Sequence, residues 1–246
     1  MKTLRKVLAL SFFTASSLFI SGAARAQQSV DLIMDNFTSS VLSQTTVLLN
    51  NAAIESSMRN ANSKRSAKAS LPKITLSYTP TKTLQQKTLQ ELGNKLQARN
   101  PVAGQTLFNV FGPGKADYSQ LFTQMVQQSG LPANNAATAL AALLEVGYVI
   151  VNNVQNTSSI TPAVDRALQQ QAAGLLSQNK KLTSPAIVSK LGEELKLQSV
   201  VLYLGWQSAL KNSQVNDYSS AIAKQFKGMG FDLSQVRLTS KGFVKK

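Results

Sequence analysis

Apolar residues recur at spacings of three and four through most of this sequence, and only an α-helix gathers such a pattern into one hydrophobic face. The spacing is clear from Val30 to Ala52. Residues 136–151 are apolar on every side, which is typical of a helix surrounded by other helices. A second strongly apolar segment covers residues 195–210. The sequence therefore predicts an all-α fold, a single bundle of roughly seven to eight helices.

Helix starts are marked by a capping residue, in three places followed by proline, whose missing N–H costs nothing in a first turn. Asn100, Thr161 and Ser184 each precede a proline. Further caps are expected at Asp117, Asn135 and Asn216. Gly93, Gly112, Gly130 and Gly228 or Gly230 are candidate stops, although Gly93 is also compatible with a helix interior. The predicted helices cover residues 29–60, 81–98, 101–111, 117–128, 135–154, 162–178, 185–212 and 217–228.

The first 26 residues have the pattern of a cleavable export signal. Three basic residues lie within the first six positions, residues 7–20 are apolar and uncharged, and Ala24 and Ala26 are the small residues that signal peptidase reads. Cleavage is expected between Ala26 and Gln27. An uncleaved anchor would need about 20 apolar residues, and this stretch is shorter and contains serine and threonine. A periplasmic or secreted location follows, with no transmembrane span after processing.

The order of these patterns divides the chain into four parts. After the signal (1–26) comes an N-terminal amphipathic helix within residues 27–60, a basic linker at 61–80 and a helical domain at 81–246. The linker is rich in Lys, Ser, Ala and Asn, which favours a loop over a core element. Ile74, Leu76 and Tyr78 alternate, so a short extended piece can end it.

The absence of histidine and cysteine removes most catalytic and metal chemistry. There is no disulfide, Ser-His-Asp triad, Cys-His dyad or His-ligated zinc in such a chain. Two S-x-x-K spacings remain, Ser177 with Lys180 and Ser208 with Lys211, but neither is accompanied by the S-D-N and K-T-G elements of a serine–lysine site. The sequence assigns no catalytic, cofactor-binding or metal residue, and no cofactor is expected.

Among the carboxylates, Glu145 is the strongest single candidate for a functional role because its helical neighbours are apolar. A buried carboxylate must find a partner or take up a proton. The simpler interpretation places Glu145 at the edge of the core, paired with a lysine or a tyrosine hydroxyl. Glu193 and Glu194 point about 100° apart on a helix and can pair with Lys190 and Lys196 at helical spacing. They are expected on a solvated face.

Positive charge is the property that most directly suggests a partner. The chain has 26 Lys and Arg against 11 Asp and Glu, and no acid lies between Glu55 and Glu91. Contacts with an anionic envelope polymer, lipid head groups or an acidic protein are predicted for Lys64, Arg65, Lys68 and Lys73. A merely solubilising linker is the alternative. The export signal, the lack of interleaved aromatics and the excess of Lys over Arg argue against nucleic acid.

Five short motifs carry a resemblance to a known family. They are residues 78–81 (YTPT), 130–135 (GLPANN), 193–195 (EEL), 228–233 (GMGFDL) and 238–243 (LTSKGF). Together they resemble an uncharacterised family of bacterial secreted proteins, a domain of unknown function, over roughly residues 78–243. The resemblance implies a bacterial envelope or extracellular protein and brings no activity or site residue with it. The same C-terminal motifs suit a tail that folds back on the core through Leu233, Val236, Leu238 and Phe243.

These observations predict an exported helical protein that acts by interaction and has no catalytic role, its basic segment contacting an anionic envelope component or an acidic protein. The alternative is a hydrolase with a Ser-Lys or carboxylate site in a cleft between helices. The sequence does not predict an oligomeric state or a ligand.

Overall fold

The computed structural model of the protein describes residues 75–179 and 181–246. Several predictions fall outside them: the signal and its cleavage site, the helix at 29–60, most of the basic linker with Lys64, Arg65, Lys68 and Lys73, and Lys180 of one S-x-x-K pair. The end of the linker is described, and it contains a short extended piece. Ser77 forms an antiparallel bridge with Asn135, so the alternation at Leu76 and Tyr78 correctly predicted extended backbone.

The described residues form seven α-helices, which confirms the all-α prediction, and one small antiparallel hairpin. In chain order the elements are α1 (Lys82–Arg99), α2 (Pro101–Phe111), α3 (Tyr118–Val126), α4 (Ala136–Val151), α5 (Pro162–Ser177), α6 (Pro185–Lys211), α7 (Val215–Gly228), β1 (Val236–Thr239) and β2 (Gly242–Lys245).

The predicted helix starts lie within two residues of the observed ones, and at four of them the predicted residue caps the helix. Asn100 accepts a hydrogen bond from the Ala103 amide at 3.1 Å, and Asp117, Asn135 and Ser184 cap α3, α4 and α6 in the same way. Thr161 precedes α5 without a side-chain cap. The cap predicted at Asn216 is wrong, because α7 begins at Val215 and Gln214 takes the N-cap position. A proline after the cap was thus a stronger signal than an asparagine alone.

The core lies around α4 and α6, the two helices whose sequences are apolar on most sides. α4 packs against α5, α6 and α7, while α6 also contacts α1 and α3. Leu140, Ile150, Leu195 and Leu202 are fully buried between these helices. In the described part of the chain, none of the helices offers the apolar length that a bilayer crossing requires.

Gly93 lies inside α1 and does not end the helix. A glycine is needed at this position because a larger residue would not fit there. The ring of Phe108 in α2 occupies the space where a Cβ atom on residue 93 would stand. The missing side chain thus lets α1 and α2 pack closely.

The C-terminal tail folds back on the core, as its apolar residues predicted, but it does so as a hairpin that the sequence analysis did not anticipate. Val236 pairs with Lys245 and Thr239 with Gly242. Phe243 is fully buried against Tyr148 and Phe231. Gln171 of α5 holds β2 through both its amide atoms, accepting from the Phe243 amide at 2.8 Å and donating to its carbonyl at 3.1 Å.

Candidate functional site

A mainly apolar cavity of about 180 Å³ lies among α3, α4, α5 and α6. Its wall includes Leu121, Met125, Val146, Ile160, Val200 and Leu204. Gln124 and the exposed Gln128 also line it, so the cavity opens to solvent near the end of α3. Four helices that come from distant parts of the chain are therefore needed to form it.

Two carboxyl groups face each other at the wall of this cavity. Glu145 lies in the middle of α4, and Asp165 lies in the first turn of α5, directly after the Thr161-Pro162 start. Burial raises the pKa of Glu145 well above its usual value, and the neighbouring Asp165 raises it further. Burial also raises the pKa of Asp165, although the hydrogen bond with Glu145 and the charge of Arg166 oppose the increase. Since two ionised carboxylates only accept hydrogen bonds, their contact requires a shared proton.

Two buried polar oxygen atoms in the residues that line the cavity have no hydrogen-bond partner among the described residues. They are Oγ1 of Thr138 and Oδ1 of Asp165, and both residues line the cavity. Thr138 is fully buried, so its hydroxyl loses water on folding without regaining a bond inside the protein. Buried polar groups are normally paired. The residues that line the cavity therefore contain hydrogen-bonding capacity that the described part of the protein does not satisfy.

Trp206 of α6 supplies an aromatic part of the cavity wall and is 3% exposed. Its indole stacks on Tyr218 with the ring centroids 6.3 Å apart. Since the chain contains one tryptophan, its fluorescence reports on the cavity alone.

A second buried polar group, the Glu193 cluster, consists of Tyr78, Tyr118, Asn134, Glu193 and Lys196. The carboxylate of Glu193 accepts from the Tyr78 hydroxyl at 2.9 Å, the Tyr118 hydroxyl at 2.8 Å and Lys196 Nζ at 2.7 Å. Lys196 Nζ also donates to Asn134 Oδ1 at 2.7 Å. Both charged side chains are fully buried. Every contact therefore pairs a donor with an acceptor inside the protein.

Backbone contacts hold the Glu193 cluster together. The Tyr78 amide donates to the Asn134 carbonyl at 3.0 Å, and the Ala136 amide donates to the Leu76 carbonyl at 2.9 Å. The ring of Tyr78 lies directly on Gly192, where a Cβ atom would not fit. Burial, followed by the charge of Glu193, raises the pKa of both tyrosine hydroxyls far above the usual value. The two tyrosines thus stay protonated and act as donors.

The prediction of a solvated face at Glu193 and Glu194 is wrong for Glu193. Lys196 does pair with Glu193 at helical spacing, but in the core. Glu194 keeps 23% of its side-chain surface exposed and lies 3.9 Å from Lys190, which bonds more closely to Glu91 at 2.8 Å. Helical spacing correctly predicted the pairs but not the side of α6 that is covered.

Glu145, by contrast, occupies a wall position in a cavity, as expected of a functional candidate. The predicted partner is wrong: its neighbour is a second acid, Asp165, and neither a lysine nor a tyrosine. Asp165 and Thr138 were not predicted from the sequence. An acid in a first helical turn ordinarily reads as a favourable dipole contact, so only a three-dimensional structure could single out Asp165.

The serine–lysine candidate in the described residues does not form a site. Ser208 accepts a hydrogen bond from Asn212 at 3.3 Å, and Lys211 is exposed at the C-terminal end of α6. Across residues 75–179 and 181–246, no group of three or more Asp or Glu side chains is arranged to hold a metal ion. The Glu145 cavity is therefore the candidate functional site.

Comparison with known proteins places the chain in a family but not in a functional class. No curated protein and no solved structure matches the sequence. A family model described as a family of unknown function, DUF6683, matches residues 9–246. The match spans nearly the whole sequence, including the cavity and the Glu193 cluster, and the chain belongs to this family of unknown function, DUF6683.

Proposed function

We propose that this protein is an exported bacterial binding protein that holds a small, mainly apolar molecule in the Glu145 cavity without transforming it. The observation that carries the proposal is the pair of buried, unpartnered oxygens, Thr138 Oγ1 and Asp165 Oδ1, in residues that line an apolar cavity. Ligand sites are commonly apolar with a few convergent polar groups. The export pattern of residues 1–26 supports the location.

The size of the cavity limits the ligand. An engineered cavity of about 150 Å³ in another protein takes up benzene, and this one measures about 180 Å³. Ligands with a single ring or a short chain fit these dimensions. A larger molecule would have to extend past Gln128 into solvent.

The test is a fluorescence titration of Trp206 with a panel of single-ring and short-chain compounds, confirmed by calorimetry. The variant Ala142→Leu fills the cavity and should abolish the response, because Ala142 lines its wall. Ala223→Leu, on the partly exposed surface of α7, adds the same atoms elsewhere and should bind normally. The proposal would be contradicted if no compound of the panel bound, or if both variants lost the fluorescence response equally.

The same proposal assigns the basic segment to an anionic envelope component or an acidic protein. Its support is the acid-free interval between Glu55 and Glu91, which contains seven Lys and Arg residues. Retention on vesicles containing anionic lipid should fall steeply with salt. It should also weaken when Lys64, Arg65, Lys68 and Lys73 become Gln, whereas Lys224→Gln and Lys241→Gln should have little effect. Salt-independent retention would show that this segment merely keeps the chain soluble.

A carboxylate hydrolase is the second candidate, favoured by the contact between Glu145 and Asp165. Two acids that share one proton can act as general base and general acid on a water molecule, as in aspartic proteases. Such an enzyme should turn over ester, amide or glycoside probes and lose that activity in both Glu145→Gln and Asp165→Asn. Binding without turnover by the wild-type protein would favour the first proposal.

A further inference from the structure

We infer that the molecule bound in the Glu145 cavity is an organic cation, a small primary or secondary ammonium on a compact apolar body, whose N–H groups donate to Glu145 and Asp165. This inference rests on the proposed binding function and specifies its ligand class. It depends on three features of the cavity: the charge of its lining, the unpartnered oxygens and the aromatic wall.

The lining has acidic side chains and no basic ones. Glu145 and Asp165 are its two ionisable acids, and no Lys or Arg is among the described residues that line it. The described lining thus contains no basic side chain, although the chain has 26 basic residues and a net charge of +15. An anionic ligand would meet only repulsion at the polar end, and a cation would find the carboxylates it needs.

The acceptors in the lining suit an ammonium group. A primary ammonium has three N–H donors. The carboxyl groups of Glu145 and Asp165 line the same cavity, and Oδ1 of Asp165 has no hydrogen-bond partner among the described residues. A neutral alcohol has a single donor and leaves part of this capacity unused.

The rest of the lining suits the apolar body of such a ligand. Trp206 and Tyr203 contribute aromatic surface, which also attracts cations. Leu121, Met125 and Val146 lie along the wall as well. The cavity thus combines an acidic end with an apolar remainder.

We expect a cation that lies between the two carboxyl groups to displace the proton that they share. In the free protein this proton lies between Glu145 and Asp165; as the ammonium takes that place, the proton moves to solvent and the ligand keeps all its own bonds. The other titratable side chain in the lining is that of Tyr203 from α6, and the charge of Arg166 acts on Asp165 from within α5. Burial raises the pKa of Tyr203, so its hydroxyl stays protonated near neutral pH. Cation affinity should therefore rise with pH by up to about tenfold per unit while the pair is protonated, then level off.

The test compares benzylamine, benzyl alcohol and benzoate, which share one ring and differ in charge, on the full-length protein. We expect benzylamine to bind roughly tenfold to a hundredfold more tightly than benzyl alcohol, the margin of charged over neutral hydrogen bonds, and benzoate to bind weakest. Calorimetry in two buffers of different ionisation enthalpy should show one proton released with benzylamine and none with benzyl alcohol. Affinity for benzylamine should rise with pH, and that for the alcohol should not.

Two isosteric variants locate the effect. Asp165→Asn and Glu145→Gln should each reduce benzylamine affinity about tenfold or more and remove its pH dependence, while benzyl alcohol affinity stays within about threefold. Asp217→Asn, an exposed acid on α7, should change neither. Equal binding of amine and alcohol, or no proton release, would overturn the cation inference and leave the proposed binding function standing. If neither the three probes nor a wider panel of single-ring compounds bound, both the cation inference and the proposed binding function would be overturned.

Discussion

Replacing Lys196 by methionine should destabilise the protein far more than any surface charge change. The variant keeps the length and apolar stem of the side chain and removes the ammonium that contacts Glu193 at 2.7 Å. The Glu193 carboxylate then stays fully buried with only the two tyrosine hydroxyls as donors. An uncompensated charge in a core is the expensive outcome.

The magnitude follows from the burial of both partners. Breaking a buried ion pair by removing one member typically costs about 3–5 kcal/mol. The variant also lacks the hydrogen bond from Lys196 Nζ to Asn134. It further lacks the cation–π contacts of this ammonium, which lies 5.1 Å from the centroid of the Tyr78 ring and 5.8 Å from that of the Phe122 ring. The upper part of that range is therefore expected. Since domains are stable by about 5–15 kcal/mol, the variant should still fold, with a free energy of unfolding that is small but measurable.

The assay is urea unfolding, with Lys190→Met as the matched control. Lys190 lies six positions earlier in the same helix and pairs with Glu91 at 2.8 Å, but its side chain is 49% exposed, so its loss should cost no more than about 1 kcal/mol. The double variant Glu193→Gln/Lys196→Met should be more stable than Lys196→Met alone, because the glutamine removes the stranded charge. The reasoning is refuted if Lys196→Met costs no more than Lys190→Met, or if adding Glu193→Gln lowers stability further.

Three further predictions follow from the same contacts. Glu145→Gln should raise the unfolding midpoint at neutral pH. Folding raises the pKa of both acids, so native stability is lost as pH rises above the unfolded value of about 4; the gain should vanish near about pH 3, and a gain that persists there would contradict the shared-proton account. Tyr118, which is 4% exposed, has a raised pKa, so stability should fall by about 1.4 kcal/mol per pH unit above about pH 10. Tyr78 contributes to the alkaline slope in the same way, so Tyr118→Phe should reduce the slope by about 1.4 kcal/mol per pH unit without abolishing it, and an unchanged slope would mean that Tyr118 ionises freely. Gly192→Ala should cost about 1–3 kcal/mol in urea unfolding because its methyl group meets the Tyr78 ring. Gly174→Ala, in open space on α5, should instead gain up to about 1 kcal/mol, and equal effects would exclude the steric explanation.

Local chemistry made the helices predictable from the sequence. A capping side chain acts within one turn, so Asn100, Asp117, Asn135 and Ser184 fix their helix starts whatever the tertiary contacts, and a proline follows Asn100 and Ser184. The apolar character of α4 on every side similarly indicated its central place. These signals depend only on residues near one another in the chain.

The two carboxylate environments were not predictable in the same way. Tyr78 and Tyr118 reach Glu193 across 115 and 75 positions of sequence, and spacing along one helix carries no information about such partners. The hairpin was missed for a related reason. Its four-residue strands are too short for a period to stand out, and their stability comes from Gln171 and the core under Phe243.

The core thus contains two glutamates that meet the cost of burial in opposite ways. Glu193 accepts three hydrogen bonds, one from a cation, so its charge is compensated without a ligand. A structural role in the fold is therefore sufficient to account for this carboxylate. Glu145 lies against a second acid and is accommodated only by sharing a proton, an arrangement that glutamine should improve. Folding alone therefore does not account for a carboxyl group at position 145. On the proposed binding function, the cavity beside it, with the unpartnered oxygens of Thr138 and Asp165, gives the reason: the acid pair is completed when a donor from outside the chain occupies that space.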